Sequence, residues 1–339
     1  MKYTNKQVED QTASEKLLKR KVGLDDRYST EWIVFDEYII EEVQEGALYI
    51  RPKKGADFKL YNPFNVAEPL VIDTLGLGDA YLLYQQALED KDLNAYRKRK
   101  CKKMWYELQE QILRYAKKYG LMGFMSSSTY NRNIVGDKEI LLTQKNPLSL
   151  KTSHMNGQAY MKLFTPFIEE GNIDLYMHKD KVHFTKYEDT PKYYGKRPLV
   201  LDLIFSSFYA ENIVWLLDFS AMLARHYDQL ATFKASALNL TEPVTILADQ
   251  FEATKIGFTI TQGRETKISW EFDSLKTTVQ TIYAFAVTDR VSALKRCEHC
   301  RRFYIANSTK EKYCGASCRN RYNVMKSRER MKNENSSSK

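Results

Sequence analysis

The first 27 positions are mostly polar, and no apolar period emerges among them, as expected of a loosely packed lead-in. The pattern changes near residue 31. Over 31–65 two runs, EWIVFDEYII and GALYIRP, are rich in β-branched and aromatic residues and predict strands, with turns at Gly46 and Gly55. Asn62-Pro63 and Glu68-Pro69 punctuate the passage into a helical region. Across 74–119 the period lengthens to that of a helix. Leu93, Tyr96, Met104, Trp105, Leu108, Ile112 and Tyr115 recur at three- and four-residue spacings, which predicts a helical pair ended by Gly120 after Lys117 and Lys118. Residues 126–133 read as a polar loop. A strand over 139–143, a helix over 159–168 and strands near 174–178 and 182–186 are expected next. The longest helical pattern, 199–233, is apolar on more than one face, as for a helix at the centre of a core. Alternation over 254–261 and 266–272 about Gln262-Gly263 predicts a β-hairpin. A helix over about 274–294, burying Val279, Ile282, Tyr283, Ala286 and Val287, runs almost directly into Cys297.

These elements predict an α+β protein. Its expected parts are the lead-in 1–27, a mixed α+β domain 28–294, a small C-terminal module 295–332 and a tail 333–339. The 43% apolar and 28% charged content is that of an ordinary globular protein. The apolar region 199–224 is broken by Asp202, Glu211 and Asp218, which argues against a membrane span. The first residues, MKYTNKQVEDQTASEK, hold no apolar stretch of the secretory kind, so a cytoplasmic location is expected.

Four of the 5 cysteines lie close together near the C-terminus, in the spacing C-x2-C-x13-C-x3-C: Cys297, Cys300, Cys314 and Cys318. This is ligand spacing for a structural Zn²⁺ in a reducing compartment. Four thiolates fill a tetrahedron and leave no open position for catalysis. Cys297 and Cys300 make a knuckle. Phe303, Tyr304 and Ile305 suit a strand, Asn307 to Lys310 a turn, and Lys312 and Tyr313 a return to the second ligand pair. Cys314 would open a helix running through Arg330, so the module is expected to be a treble clef. Tyr322 and Met325 on that helix are expected to pack against Phe303. His299 could replace a cysteine as ligand. Cys101, alone in a helical pattern, reads as an inert half-buried thiol.

Charge changes the picture. From residue 295 to the end there are 13 Lys or Arg and 4 Asp or Glu, while the rest of the chain holds 39 of each sign. The whole excess of +9 therefore sits on the segment that carries the cysteines, a distribution that attracts polyanions. Arg301, Arg302, Arg319, Asn320, Arg321, Lys326, Arg328 and Arg330 are the candidate nucleic-acid contacts, with DNA expected ahead of RNA. A basic tail that aids solubility, or a helix that grips a protein partner, is the alternative.

The run Leu294-Lys295-Arg296-Cys297, then Cys300, Phe303 and Cys314, and finally Cys318-Arg319-Asn320-Arg321, resembles the CGNR zinc-finger proteins. The step Tyr119-Gly120-Leu121 and the hairpin and helix before Cys297 are similar to that family as well. The resemblance implies a bacterial protein with an N-terminal ABATE-like domain and a predicted role in transcription regulation. It also implies zinc ligation by Cys297, Cys300, Cys314 and Cys318, with Asn320 and Arg321 as the signature pair. Arg319 stands where the signature has glycine, and Tyr313 where an Arg-Trp step is usual. The larger domain would sense a small-molecule or protein effector, or dimerise.

Other constellations are weaker. Residues 97–103, RKRKCKK, could form a second nucleic-acid surface, although such runs are more often solvated helix faces, here partly offset by Glu107 and Glu110. Asp202 and Glu211 would need partners if buried, with Arg225 or Arg197 available, or they could line a ligand pocket. His154, His178, His183 and His226 are scattered, and only His178 and His183, about an expected turn, could pair on a metal. Gly76-Leu77-Gly78-Asp79 is too short for a phosphate loop, and no catalytic motif is found, so no enzyme activity is expected. A nucleic-acid-processing enzyme using the module as a substrate clamp is the enzymatic alternative, and it requires acidic or histidine groups to converge in space.

Overall fold

The computed structural model describes residues 32–44, 46–53, 55–89, 94–131, 138–144, 152–156, 177–178, 181–182, 200–201, 210–236, 257–262, 266–272, 274–288 and 294–337. Four successive buried residues, Trp32 to Phe35, form strand β1 (Trp32–Phe35), a pattern possible only where both faces are covered. Strands β2 (Tyr38–Gln44) and β3 (Ala47–Pro52) pair antiparallel about the expected turn at Gly46, where φ is 82°. Gly55, at φ 80°, turns the chain into β4 (Phe58–Tyr61), which pairs antiparallel with β1, Trp32 opposite Tyr61.

A 3-10 turn (Pro63–Val66), capped by the Asn62 side chain, leads into α1 (Ala67–Glu89). Pro69 lies in the first turn of α1, where a missing N–H is harmless, so this proline lies inside the helix and does not separate elements. Helix α2 (Ala95–Tyr119) starts at Asn94, whose side chain accepts from the Arg97 N–H at 2.9 Å. It stops at Gly120, as expected. The φ there is 84°, and the N–H bonds the Ala116 carbonyl at 2.7 Å. A side chain at Gly120 would overlap the Ile33 carbonyl. The end of α2 is tied to β1 and β4 by Trp32 donating to the Leu121 carbonyl (2.9 Å) and Tyr61 to that of Tyr119 (2.8 Å).

The expected loop over 126–133 is a strand over most of its length. β5 (Met125–Asn131) pairs along its full length with β6 (Lys138–Gln144), which pairs with β7 (Thr152–Asn156). The serines of β5 carry no apolar alternation; its partners impose the extended backbone. Short ladders follow at β8 (Met177–His178) with β9 (Lys181–Val182), and β10 (Val200–Leu201) borders β5. The helix expected over 159–168, His183, Arg197 and Asp202 lie outside the described residues.

The helix expected over 199–233 begins only at 213. Two residues before it form β11 (Glu211–Asn212), paired to β3, and Asn212 caps α3 (Ile213–Ser236) by accepting from the Val214 N–H at 2.9 Å. Helix α3 is the buried centre that the pattern implies, with Ile213, Leu217, Phe219, Ala221, Leu223 and Ala224 inaccessible. It crosses α1 closely. A side chain at Gly78 would run into the Ser220 backbone, so the crossing needs glycine there.

Strands β12 (Gly257–Gln262) and β13 (Thr266–Glu271) form the expected hairpin, and Phe272 beyond it packs on Phe64 with ring centroids 5.0 Å apart. Helix α4 (Leu275–Thr288) begins with Ser274 accepting from the Thr277 N–H, and Leu294, the far end of the expected helix, lies outside it. Leu294 belongs instead to β14 (Leu294–Arg296), which pairs with β15 (Phe303–Ile305). Helix α5 (Ala316–Ser337) closes the chain. Helices and antiparallel sheets thus combine in an α+β fold, as expected. One buried apolar cluster runs from Trp32 through α1, α2, α3 and α4 to Leu294 and Phe303. No helix among the described residues is long and apolar enough to cross a membrane.

Candidate metal centre

Strands β14 and β15 hold a turn at their tip. The Arg301 N–H bonds the Cys297 carbonyl and the Cys297 N–H bonds the Arg302 carbonyl, both at 2.9 Å. Arg301 closes this turn in the left-handed region, φ 62°, which disfavours a residue with a Cβ by about 1–2 kcal/mol. The turn exposes the Cys300 sulfur on the same side as Cys297. Cys314 precedes α5 and Cys318 lies in its first turn, so the two point the same way.

All four sulfurs lie within 4.8 Å of one another. Cys300 Sγ is 3.7 Å from Cys314 Sγ, and Cys314 Sγ is 3.5 Å from Cys318 Sγ. A sulfur tetrahedron with metal–sulfur bonds of ~2.3 Å has edges of about 3.8 Å. Two of the six sulfur–sulfur separations thus already stand at what a single ion requires, and the others do not exceed 4.8 Å. His299 is not a member of the cluster. Burial alone would raise the Cys297 thiol, but the N–H groups of Cys300, Cys314 and His299 outweigh it and bring the pKa down to about 6. Cys314 moves the other way, pushed up by the partial burial of its sulfur and then by the facing thiols of Cys318, Cys300 and Cys297. The fold thus favours the thiolate at Cys297 and disfavours it at Cys314. The cluster can hold a metal ion.

The surrounding contacts fix the module to itself and to the body. Lys295 donates to three carbonyls, those of Ser308 (3.2 Å), Thr309 (2.7 Å) and Glu311 (2.9 Å), and so shapes the loop between β15 and Cys314. Tyr304 donates to the Glu311 carbonyl, and the Glu311 carboxylate accepts from the Asn307 N–H. Arg296 reaches outward. Its guanidinium forks onto Asp79 of α1 (2.6 and 2.8 Å) and onto Asp228 of α3 (2.9 and 3.1 Å), while lying 3.9 Å from the centre of the Phe303 ring. Burial works against this charge, and the two carboxylates more than restore it, raising its pKa further. Leu294 and Phe303 sit in the main core, so the hairpin is built on the body.

Phe303 does not pack beneath Tyr322 and Met325, as the sequence suggests. It meets Tyr227 of α3 edge-on at 5.1 Å, because the inner side of the hairpin faces α3. Tyr322 packs instead on Tyr313 at 5.3 Å, and Met325 is exposed. Lys312 and Tyr313 lead back to the second ligand pair without forming a strand among the described residues, and the Lys312 carbonyl accepts from the Glu298 N–H at 3.0 Å.

Of the candidate nucleic-acid contacts, Arg301 and Arg302 are exposed at the knuckle, and Arg319, Asn320, Arg321, Lys326, Arg328 and Arg330 are exposed along α5. Glu211 serves the fold. It is buried on β11 and accepts from the N–H groups of Met122 (2.9 Å), Gly123 (2.6 Å) and Phe124 (3.1 Å), which makes it a structural tie. Arg225 bonds Gln85 instead. His226 bonds Tyr283 at 2.8 Å inside the core. Cys101 is buried, with its sulfur 3.5 Å from the Ala87 carbonyl, in keeping with an inert thiol. Sequence alone does not reveal the anchoring role of Arg296, because its two acids are 217 and 68 residues away and only its place directly before Cys297 marks it.

Fold and site together define an α+β protein that carries a four-cysteine, metal-competent cluster at its C-terminal end. No family model matches the chain, and neither a curated protein nor a solved structure is similar to it.

Proposed function

We propose that the cluster holds a structural Zn²⁺ and that the module it orders binds nucleic acid, DNA foremost, in a bacterial transcription regulator of the cytoplasm. Zinc is favoured by four soft sulfur ligands at tetrahedral spacing with no position left for water. Bound there, the ion would cross-link the knuckle to the start of α5. Resemblance of the cysteine spacing and of Cys318-Arg319-Asn320-Arg321 to CGNR zinc fingers supports the same reading.

One observation carries it. Lys295 and Arg296 are consumed by the module's own architecture, yet Arg319, Arg321, Arg328 and Arg330 on α5 make no ion pair or hydrogen bond from their side chains among the described residues. Guanidinium groups held on a rigid helix and left without a partner suit phosphate oxygens. A groove of about 940 Å³ between the module and helices α1 and α3 is lined by Arg301, Lys310 and Lys312 but also by Asp79, Asp228, Glu298 and Glu311, with Lys312 paired to Glu298 at 3.2 Å, so it adds little net charge to that of α5.

A protein partner is the second reading, and exposed Val324, Met325 and Met331 on α5 favour it. Salt separates the two. The full chain should bind duplex DNA with a slope of about −3.6 in log affinity against log salt, if four side chains each release counterions. The variant carrying Arg319→Gln, Arg321→Gln, Arg328→Gln and Arg330→Gln should lose most of that slope while keeping its metal. An unchanged slope would remove α5 from the interface.

A further inference from the structure

Helix α2 carries a second cationic surface that the module does not explain. Six of the seven residues 97–103 are Lys or Arg, and the seventh, Cys101, is turned into the protein. Lys98, Arg99, Lys100, Lys102 and Lys103 are exposed. Local electrostatics disfavour this placement twice. The run occupies the first turns of α2, whose amide ends are already positive, so cations there oppose the helix dipole. Lys98 with Lys102, and Arg99 with Lys103, are also like-charge pairs one turn apart, which destabilise a helix. The exposed Lys103–Glu107 pair, at 3.7 Å, gives only weak relief. At the other end of the same helix the chain behaves conventionally, with Lys117 and Lys118 in the last turn and Lys118 paired to Asp73 at 2.8 Å. A face whose only task is solubility gains nothing from concentrating cations at the end where they repel most.

Exposed rings accompany the charge. Tyr106 is 55% exposed and Tyr96 75% exposed, and they are the large apolar side chains that α2 shows to solvent. Lys102 Nζ lies 5.8 Å from the centre of the Tyr106 ring. Tyr106 lines one shallow recess of about 660 Å³ along the helix, in which Arg99, Lys102, Lys103 and Arg114 outnumber Glu107 and Glu110. Arg99 and Arg114 stand about 22 Å apart along the axis, given 1.5 Å per residue.

From this we infer that the exposed face of α2 is a binding surface for single-stranded nucleic acid, separate from the cysteine module. Cations strung along the recess follow a phosphate backbone, and the open faces of Tyr106 and Tyr96 take unpaired bases by stacking. A duplex keeps its bases stacked inside and would use the cations alone. A membrane surface is less well matched, because α2 exposes no Leu, Ile, Val or Phe to insert: Leu108 and Ile112 are buried in the core.

The test uses the full chain, a fluorescent oligothymidylate, the same length of duplex, and phosphatidylserine vesicles. The variant with Arg99→Gln, Lys102→Gln and Lys103→Gln should flatten the single-strand salt slope by about 2, at about 0.7 per lost contact, with at least tenfold weaker binding. Tyr106→Ala should weaken single-strand binding about fivefold to a hundredfold with the slope unchanged, a signature that lost charge cannot imitate. Both variants alter exposed side chains, and the first removes repulsion, so its melting temperature should equal or exceed the parent's; this separates lost binding from lost fold. The fourfold Arg→Gln variant of α5 should keep the portion of single-strand binding that the α2 substitutions abolish, so the two surfaces fail or stand independently. Equal single-strand affinity in parent and α2 variants would overturn the inference. So would a defect confined to the vesicles.

Discussion

Arg296→Ala removes one side chain from a contact that joins three elements, and its cost can be worked from the geometry. The Asp79 arm is the stronger. Arg296 is 14% exposed and Asp79 27%, and the pair is bidentate at 2.6 and 2.8 Å. Breaking a fully buried pair costs about 3–5 kcal/mol; partial exposure of Asp79 lowers that to about 2 kcal/mol. Asp228 is 53% exposed, so its arm is worth about 0.5 kcal/mol. Loss of the cation from the Phe303 ring, 3.9 Å away, adds about 0.5–1 kcal/mol. The total is about 3 kcal/mol, or on the order of 5 °C in melting temperature. Thermal and urea denaturation of Arg296→Ala, Asp79→Asn and the double variant would measure the coupling directly. A coupling of about 2 kcal/mol is expected, against about 0.5 kcal/mol with Asp228→Asn. Arg296→Lys should recover less than half, since one ammonium cannot fork onto two carboxylates. Metal content should stay constant throughout, because Arg296 touches no cysteine sulfur and its one bond within the knuckle, to the Arg301 carbonyl, is long at 3.3 Å. A total cost below about 1 kcal/mol, or equal couplings to the two acids, would refute this assignment.

Further substitutions and one treatment test separate parts of the structure. Gly78→Ala should cost more than about 3 kcal/mol by driving a methyl into the Ser220 backbone, while Gly76→Ala, two residues away with open space around it, should stabilise α1 by about 0.5–1 kcal/mol; paired melting curves decide. Chelation of the metal-loaded chain, or Cys314→Ser, should release the ion and reduce far-UV helicity as α5 loses its anchor, with near-UV signals of the body retained. Burial raises the Asp218 carboxyl above its usual range, with Arg225 and the Tyr81 hydroxyl opposing. A raised native value means the folded state holds its proton longer than the unfolded chain, so this group's contribution falls as pH climbs from about 4 through the raised value. Asp218→Asn should abolish that component of the fall when denaturation is followed across pH.

Local pattern made several elements legible. The β-branched runs around Gly46 and Gly55, the three-and-four spacing of Leu108, Ile112 and Tyr115, and the Lys-Lys-Tyr-Gly ending of α2 all report short-range physics and appear where expected. The cysteine spacing is legible for the same reason, since a knuckle and one helical turn place their sulfurs locally. What was hidden depends on partners distant in sequence. Glu211 lies inside an apolar run and looks like part of a helix, yet β3 captures it as a strand and three backbone N–H groups satisfy its charge; donors of that kind leave no trace in side-chain identity. Ser126 to Ser128 are extended because β6 and β10 flank them, although their composition reads as a loop. Arg296 looks like one more cation in a basic segment, and only folding reveals the acids on α1 and α3 that claim it.

Helix α5 has 22 residues and so extends about 33 Å from a base that Arg296 rivets to both α1 and α3. It is a lever. A rocking of its base by about 10° would sweep the far end through roughly 6 Å, about the rise of one helical turn. Small slippage where α1 and α3 meet would thereby be magnified into a displacement of the outermost arginines as large as one helical turn.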